Sequence, residues 1–529
     1  MQREKTLIVR RMQSALRVAF FALALLIAAP PQWAHAADGA PRAVTAQGEV
    51  AGVQVDDIAV FRGLPFAAPP VGALRWREPQ PAARWAGVRQ ATVAGYACPQ
   101  KRGLSLEGGG DPGELSEDCL YLNVWAPRAE PEQRRPVMVW LHGGALIFGA
   151  GSLPLYDGTA LARQGVIVVT VNYRLGPLGY FVHPALERAA PGGAANFGLL
   201  DQIAALQWVQ KNIAAFGGDA QQVTVFGQSA GAQSVLALMA SPKARGLFQR
   251  AIAQSPYGLP SHTRAQARAS GVKVADALGL PGAHASLGQL RAVPAEQLAA
   301  LEGQHLSLAP SLIVGDAAVP RTILAAFQAK QQMAVPLIVG STSNETSVAL
   351  AFGLNPGALV KKLGKARIML GPLYPGVVED VELGRQVVRD VAFSAFARRI
   401  AVLHAPRAPT WRYYFDQLPA GDRGREPGVA HGGEVTAVFG TGDICACLKV
   451  PLTDADRNLW QGISSRWATF AKTGKPDVVA GAVWPTDSLW RPVVIEFGDT
   501  TEAKPGFMAQ RLNMLILGLK FVGRSEPAE

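Results

Sequence analysis

The chain is predicted to be an α/β protein built on a mostly parallel sheet covered by helices. Three observations predict it. Apolar runs of strand length recur along the sequence, helical patterns stand between them, and a serine flanked by glycines joins one such run to one such helix. Strands alternating with helices need crossover connections, which bury both faces of the sheet.

The strand-length runs are Val137–Leu141, Val166–Val171, Val223–Phe226, Ala251–Ala253, Pro336–Val339 and Trp411–Phe415, rich in Val, Ile and aromatic residues. Leu200–Asn212 and Ala230–Met239 carry helical patterns. Val44–Val60 holds short runs separated by glycine, the pattern of an antiparallel hairpin at a sheet edge. Residues 104–116 and 256–320 are punctuated by Gly and Pro and read as loops and short helices over the sheet. No linker divides residues 37–529, which read as one domain with insertions at about 256–335 and 346–405. Phe507–Val522 is apolar enough for a docked helix, a dimer contact or a weak membrane-surface contact, and docking on its own domain is the reading adopted.

Composition excludes several classes. Of 529 residues, 49% are hydrophobic and 17% charged, which is globular and not disordered. The 56 glycines follow no G-x-y period, so the chain is not collagen-like. Residues 1–36 read as a secretory signal. Five basic residues (Arg3, Lys5, Arg10, Arg11, Arg17) and one acid, Glu4, precede the apolar run Val18–Ala29, and Ala34-His35-Ala36 supplies the small residues of a cleavage site. An apolar run of 12 residues ended by Pro30-Pro31 is too short for a membrane span, which needs roughly 20. Arg10-Arg11 hints at twin-arginine export, and Met12 is an alternative start. The expected location is periplasmic or secreted. The remaining 493 residues carry a net charge of +7, suited to a soluble protein that accepts anionic partners. No Lys/Arg run is interleaved with aromatics and no nucleic-acid motif occurs, so nucleic acid is not an expected partner.

Export permits disulfides among Cys98, Cys119, Cys445 and Cys447. The Gly-rich acidic stretch between Cys98 and Cys119 suits a bridged surface loop. Cys445-Ala446-Cys447 allows a strained bridge, a metal site or two buried thiols. Asp443 alone is too few further ligands for a metal, and two buried thiols is the reading adopted. No metal or organic cofactor is expected.

The chemistry centres on Gly227-Gln228-Ser229-Ala230-Gly231, which follows the run Val223–Phe226 and opens an Ala/Leu helix. Such a strand–turn–helix exposes the serine hydroxyl above the sheet, and the helix N-terminus adds partial positive charge. His142-Gly143-Gly144-Ala145 follows Val137–Leu141 directly. Adjacent glycines let backbone N–H groups approach a developing oxyanion, and the N–H of Ala230 would join them. A serine nucleophile needs a base and the base an orienting acid. His431, in Val429-Ala430-His431-Gly432-Gly433-Glu434, lies late in the chain, and Glu345 lies just past Pro336–Val339. The order Ser229, Glu345, His431 is the nucleophile–acid–base order of an α/β-hydrolase. Position alone leaves Glu345 and His431 open to structural roles. Leu146 and Phe148 read as pocket wall or as core.

Further motifs carry a resemblance: Phe61-Arg62-Gly63-Leu64-Pro65-Phe66-Ala67, Ser116-Glu117-Asp118-Cys119-Leu120-Tyr121-Leu122-Asn123-Val124, Asn172-Tyr173-Arg174-Leu175-Gly176, Asn196-Phe197-Gly198-Leu199-Leu200-Asp201-Gln202 and Phe216-Gly217-Gly218-Asp219. With His431-Gly432-Gly433-Glu434 they make the chain resemble the type-B carboxylesterase family, relatives of the cholinesterases, over roughly residues 44–500. The resemblance implies an α/β-hydrolase fold, a small-molecule ester substrate, Ser229 as nucleophile, Glu345 as acid and His431 as base. It also implies Gly143, Gly144 and Ala230 as the oxyanion hole, and a Cys98–Cys119 disulfide. Members that lost catalysis to become adhesion modules usually lack the nucleophile or the histidine, and this chain keeps all three candidates.

Departures from the family narrow the substrate. Gln228 stands where many relatives carry Glu, and the stretch between Cys98 and Cys119 has no aromatic to seat a quaternary ammonium. Both argue against choline esters and for neutral or anionic ones. A bulky natural-product ester, a carbamate or a polyester is an alternative. Nothing in the sequence determines the oligomeric state.

Overall fold

Strict alternation of side chains along each strand builds the layers of this protein. The computed structural model describes residues 39–103, 110–128, 134–301, 311–362, 364–445, 448–478 and 481–522. Among them, Val53–Val55 (β1), Ile58–Pro65 (β2), Tyr121–Pro127 (β3), Arg135–Leu141 (β4), Ile167–Val171 (β5), Gly218–Gln228 (β6), Arg250–Gln254 (β7), Leu337–Thr342 (β8), Thr410–Phe415 (β9), Val493–Phe497 (β10) and Thr501–Pro505 (β11) form one sheet. Their spatial order is β11-β10-β9-β8-β7-β6-β4-β5-β3-β2-β1. Neighbours from β5 across to β10 run parallel. The outer pairings are antiparallel.

One face of the sheet presents Val137, Val139 and Leu141 of β4, Val223 and Val225 of β6, and Leu337 and Val339 of β8. These pack with helices Phe197–Asn212 (α1), Ala230–Ala240 (α2) and Ala395–His404 (α3). The other face presents Met138 and Trp140, Phe226, Ile252, Ile338 and Tyr413, which pack against Asp454–Thr473 (α4). Period-two alternation sends successive residues to opposite layers, and both layers are apolar. That is why these strands read as continuous apolar runs. Each predicted run is a strand of this sheet, and both predicted helical patterns are helices.

The N-terminal hairpin divides. β1 and β2 pair as expected, whereas Arg42–Val44 and Glu49–Ala51 join Val88–Gln90 in a separate three-stranded sheet. The stretch 256–320 departs from expectation through a 14-residue helix, Arg264–Ala277, longer than the short helices predicted. A capping box closes its start, with Thr263 and Gln266 each satisfying the other's backbone N–H. Ala509–Val522 is a helix and packs on α3, with Leu512 buried and Arg511 Nε 2.9 Å from Asp390 Oδ2.

Cys98 and Cys119 are joined in a disulfide. Cys445 is also disulfide-bonded, which corrects the expectation of a buried thiol. Cys447, residues 1–36 and parts of the stretches 104–116 and 256–320 lie outside the described residues. No described helix is long and apolar enough to cross a membrane.

A buried ion pair ties the segment after β5 to α1. Arg174 donates from Nε and Nη2 to Asp201 of α1, both at 2.7 Å, and its backbone N–H adds a third bond. The Asp201 side chain is fully buried. Replacing Asp201 by Ala strands a buried guanidinium and is expected to cost about 3–5 kcal/mol, measured by urea denaturation.

Candidate active site

The end of β6 is set by a close approach of backbone to backbone. Ser229 has φ +57° and ψ −120°, a region that non-glycine residues rarely occupy. The strain is held by its surroundings. The Ser229 N–H donates to the Gln254 carbonyl at the end of β7 (2.8 Å), and the Ser229 carbonyl accepts from Gln233 in α2. Gly231 makes the turn possible, because a Cβ there would lie 2.0 Å from the Leu141 carbonyl oxygen. Helix α2 can therefore start directly over the end of β4.

That contact brings the two glycine motifs together. A Cβ on Gly143 would lie 3.3 Å from Ser229 Cβ. Gly144 has φ +103°, and a Cβ there would collide with the Phe148 carbonyl at 2.0 Å. The N–H groups of Gly144 and Ala230 have no acceptor among the described residues, whereas that of Gly143 donates to the Tyr156 hydroxyl oxygen. His142 is buried and stacks on Tyr173 at 4.3 Å, with Nδ1 2.8 Å from the Gly143 carbonyl. Burial pushes its pKa down to about 4, so it is neutral near pH 7 and Nδ1–H donates to that carbonyl.

Glu345 and His431 come from two loops that are zipped together. Asn344 N–H donates to the Val429 carbonyl (2.9 Å), Val429 N–H to Ser343 Oγ (2.8 Å) and His431 N–H to Ser347 Oγ (2.8 Å). Glu345 is fully buried; its Oε1 accepts from the Thr342 N–H at 2.7 Å and its Oε2 pairs with His431 Nδ1. That leaves His431 Nε2 buried without a hydrogen-bond partner. No hydrogen bond joins it to Ser229 Oγ among the described residues, a contact that often tightens only with substrate bound.

Of the tentative pocket residues, Leu146 is 2% exposed and packs in the core, and Phe148 is buried. Gln228 is buried beside Ser229, between Gly143 and Gly432.

Sequence reasoning missed three participants. Phe393 packs on the His431 ring with centroids 5.0 Å apart. It lies in a π-helical turn, Asp390–Ser394, a local geometry with no clear sequence signal. Gln254 and Glu434 lie behind the site. Gln254 Nε2 and Tyr413 Oη donate to Glu434 Oε1, and Trp467 Nε1 donates to Gln254 Oε1. The adjacency of Glu434 to the His431 motif was its only signal. Among the described residues no group of three or more His, Cys, Asp or Glu is placed to hold a metal ion.

The carboxylesterase family profile matches residues 39–368 and 380–514. The chain is 38% identical over 460 residues to a fumonisin B1 esterase of Sphingopyxis macrogoltabida, covering 83% of each protein. It is equally identical to the para-nitrobenzyl esterase of Bacillus subtilis (strain 168), covering 83% of this chain and 91% of that one. A solved thermophilic para-nitrobenzyl esterase superposes with a TM-score of 0.78 at 35% identity, covering 89% of this chain and 99% of the other. A Geobacillus stearothermophilus carboxylesterase gives 0.76 at 29% identity, covering 89% and 98%. The chain belongs to the carboxylesterase family. Its fold is the α/β-hydrolase fold, and it is a carboxylic ester hydrolase.

Glu434 carries a pH signature. Burial, then the negative charge of Glu345, pushes its carboxyl up to about 7. The unfolded chain ionises this group near its ordinary value while the folded protein keeps it neutral. Stability is therefore highest below about pH 4.5 for this group and falls as pH rises through 7. Glu434→Gln removes the effect. Relative to wild type, the variant is expected to gain about 3 kcal/mol between pH 4.5 and pH 8 in denaturant titrations, and a flat difference would refute the buried-carboxyl account.

Proposed function

We propose that Ser229, His431 and Glu345 form the catalytic triad of an acyl-enzyme esterase, with Gly143, Gly144 and Ala230 as its oxyanion hole. The observation that carries this reading is the buried Glu345–His431 pair, which leaves Nε2 free, beside a serine held at positive φ. His431 Nε2 takes the Ser229 hydroxyl proton as Oγ attacks the ester carbonyl. Glu345 holds Nδ1–H and stabilises the imidazolium. The tetrahedral oxyanion sits on these backbone N–H groups, each worth about 2.7–4 kcal/mol. His431 then gives its proton to the departing alkoxide, and an alcohol leaves. A water that loses its proton to His431 attacks the acyl-enzyme, and the acid is released as that proton returns to Ser229.

Neutral or anionic esters suit the site better than choline esters, since Gln228 puts no charge beside Ser229. The relatives named for fumonisin B1 and for para-nitrobenzyl esters match this chain at the same 38% identity, so similarity selects neither substrate. The basic, apolar and small-residue order of residues 1–36, together with the Cys98–Cys119 disulfide, supports export to the periplasm or beyond.

The test is hydrolysis of p-nitrophenyl esters from acetate to palmitate. Ser229→Ala is expected to lower kcat by roughly 10⁴-fold or more on every ester that wild type turns over. Substantial turnover surviving in a folded Ser229→Ala protein would refute the triad. A chain-length optimum would size the acyl pocket.

A further inference from the structure

Gln228 is the residue of this site whose chemistry is left unspent. It ends β6, precedes Ser229 and is only 5% exposed. Its carboxamide spans the gap between the two loops that flank the serine. Oε1 lies 2.9 Å from where a Cβ on Gly143 would stand, and Nε2 lies 3.4 Å from the same point on Gly432. The backbone of both glycines packs against the amide, and a side chain at 143 would crowd it. Nε2 is buried and donates to nothing in the protein. Buried donors are nearly always paired, and one left without a partner beside a nucleophile is placed to meet a ligand acceptor when the site rearranges around substrate.

We infer that Gln228 is a specificity-determining residue that donates a hydrogen bond to a carboxylate carried by the ester close to its scissile bond. The inference rests on the Ser229 reading above and deepens it, since it names the substrate class. A carboxylate is the strongest acceptor such an amide can meet, because charge-assisted hydrogen bonds are about twice as strong as neutral ones. The surroundings are compatible with an anion. The Glu345 carboxylate is engaged by Thr342 N–H and His431, and burial keeps the Glu434 carboxyl largely protonated below about 7. The excess of basic residues over the whole chain favours encounter with anionic esters. A glutamate at position 228 would have nearly the same shape, would lose the donor and would repel the ligand.

The experiment compares two p-nitrophenyl esters of matched shape, the hemisuccinate and the neutral 4-methylpentanoate. The quantity read is the ratio of their kcat/KM values in wild type, Gln228→Leu and Gln228→Glu, with folding checked by circular dichroism. The ratio is expected to fall about ten-fold in Gln228→Leu and about a hundred-fold in Gln228→Glu. A ratio within two-fold of wild type in both variants would overturn the inference. Equal losses on both esters would also overturn it, by making Gln228 a structural residue. A fall in Gln228→Glu alone would show repulsion without donation and would overturn the hydrogen bond. The triad is judged separately. If wild type and Ser229→Ala behave alike on both esters, the Ser229 reading fails and this inference fails with it; if only the ratios fail, the triad stands.

Discussion

The close approach of Gly231 to the Leu141 carbonyl is the contact on which the site depends. A single methyl group there would force α2 away from the end of β4. With α2 displaced, Ser229 would lose its unusual backbone conformation and its place beside Gly143. The strain in that turn is sustained by hydrogen bonds to Gln254 and Gln233, and thus by the register of β6 on β7 and the start of α2. Sheet, turn and helix support one another, so the strained residue is over-determined by its neighbours.

A second constraint is electrostatic. Three buried acids are each treated differently. Asp201 is matched by a bidentate Arg174. Glu345 is matched by His431 and a backbone N–H. Glu434 meets no cation among the described residues, its side-chain partners are the neutral Gln254 and Tyr413 at long range, and burial drives its carboxyl toward the protonated form. A charge in a low-dielectric interior must be paired, or the group neutralises. The result is one acid paired with the histidine and a second held largely neutral behind it.

Much of this was readable in the amino-acid order. The β-strands that carry the serine and the glycine loop were legible because both faces of the sheet are buried, which leaves uninterrupted apolar runs. The motif around Ser229 was legible because only small residues fit its turn. β3, β10 and β11 were not singled out. β11 lies at the sheet edge with a largely polar, partly exposed sequence, and period and hydrophobicity say little there. Phe393 was invisible because a π-helical turn, not a motif, aims it at His431.

The sequence by itself determined the α/β class, the strand–turn–helix around Ser229 and the order of the three candidate groups, because each depends on local pattern and spacing. The tertiary structure decided what distant segments do to one another. It set the pairing of Glu345 with His431 across two zipped loops, the freedom of His431 Nε2, the near-neutral titration of Glu434 and the unpartnered donor on Gln228. Those properties arise from burial and from partners far apart in the chain, and neither is written in the neighbourhood of any single residue.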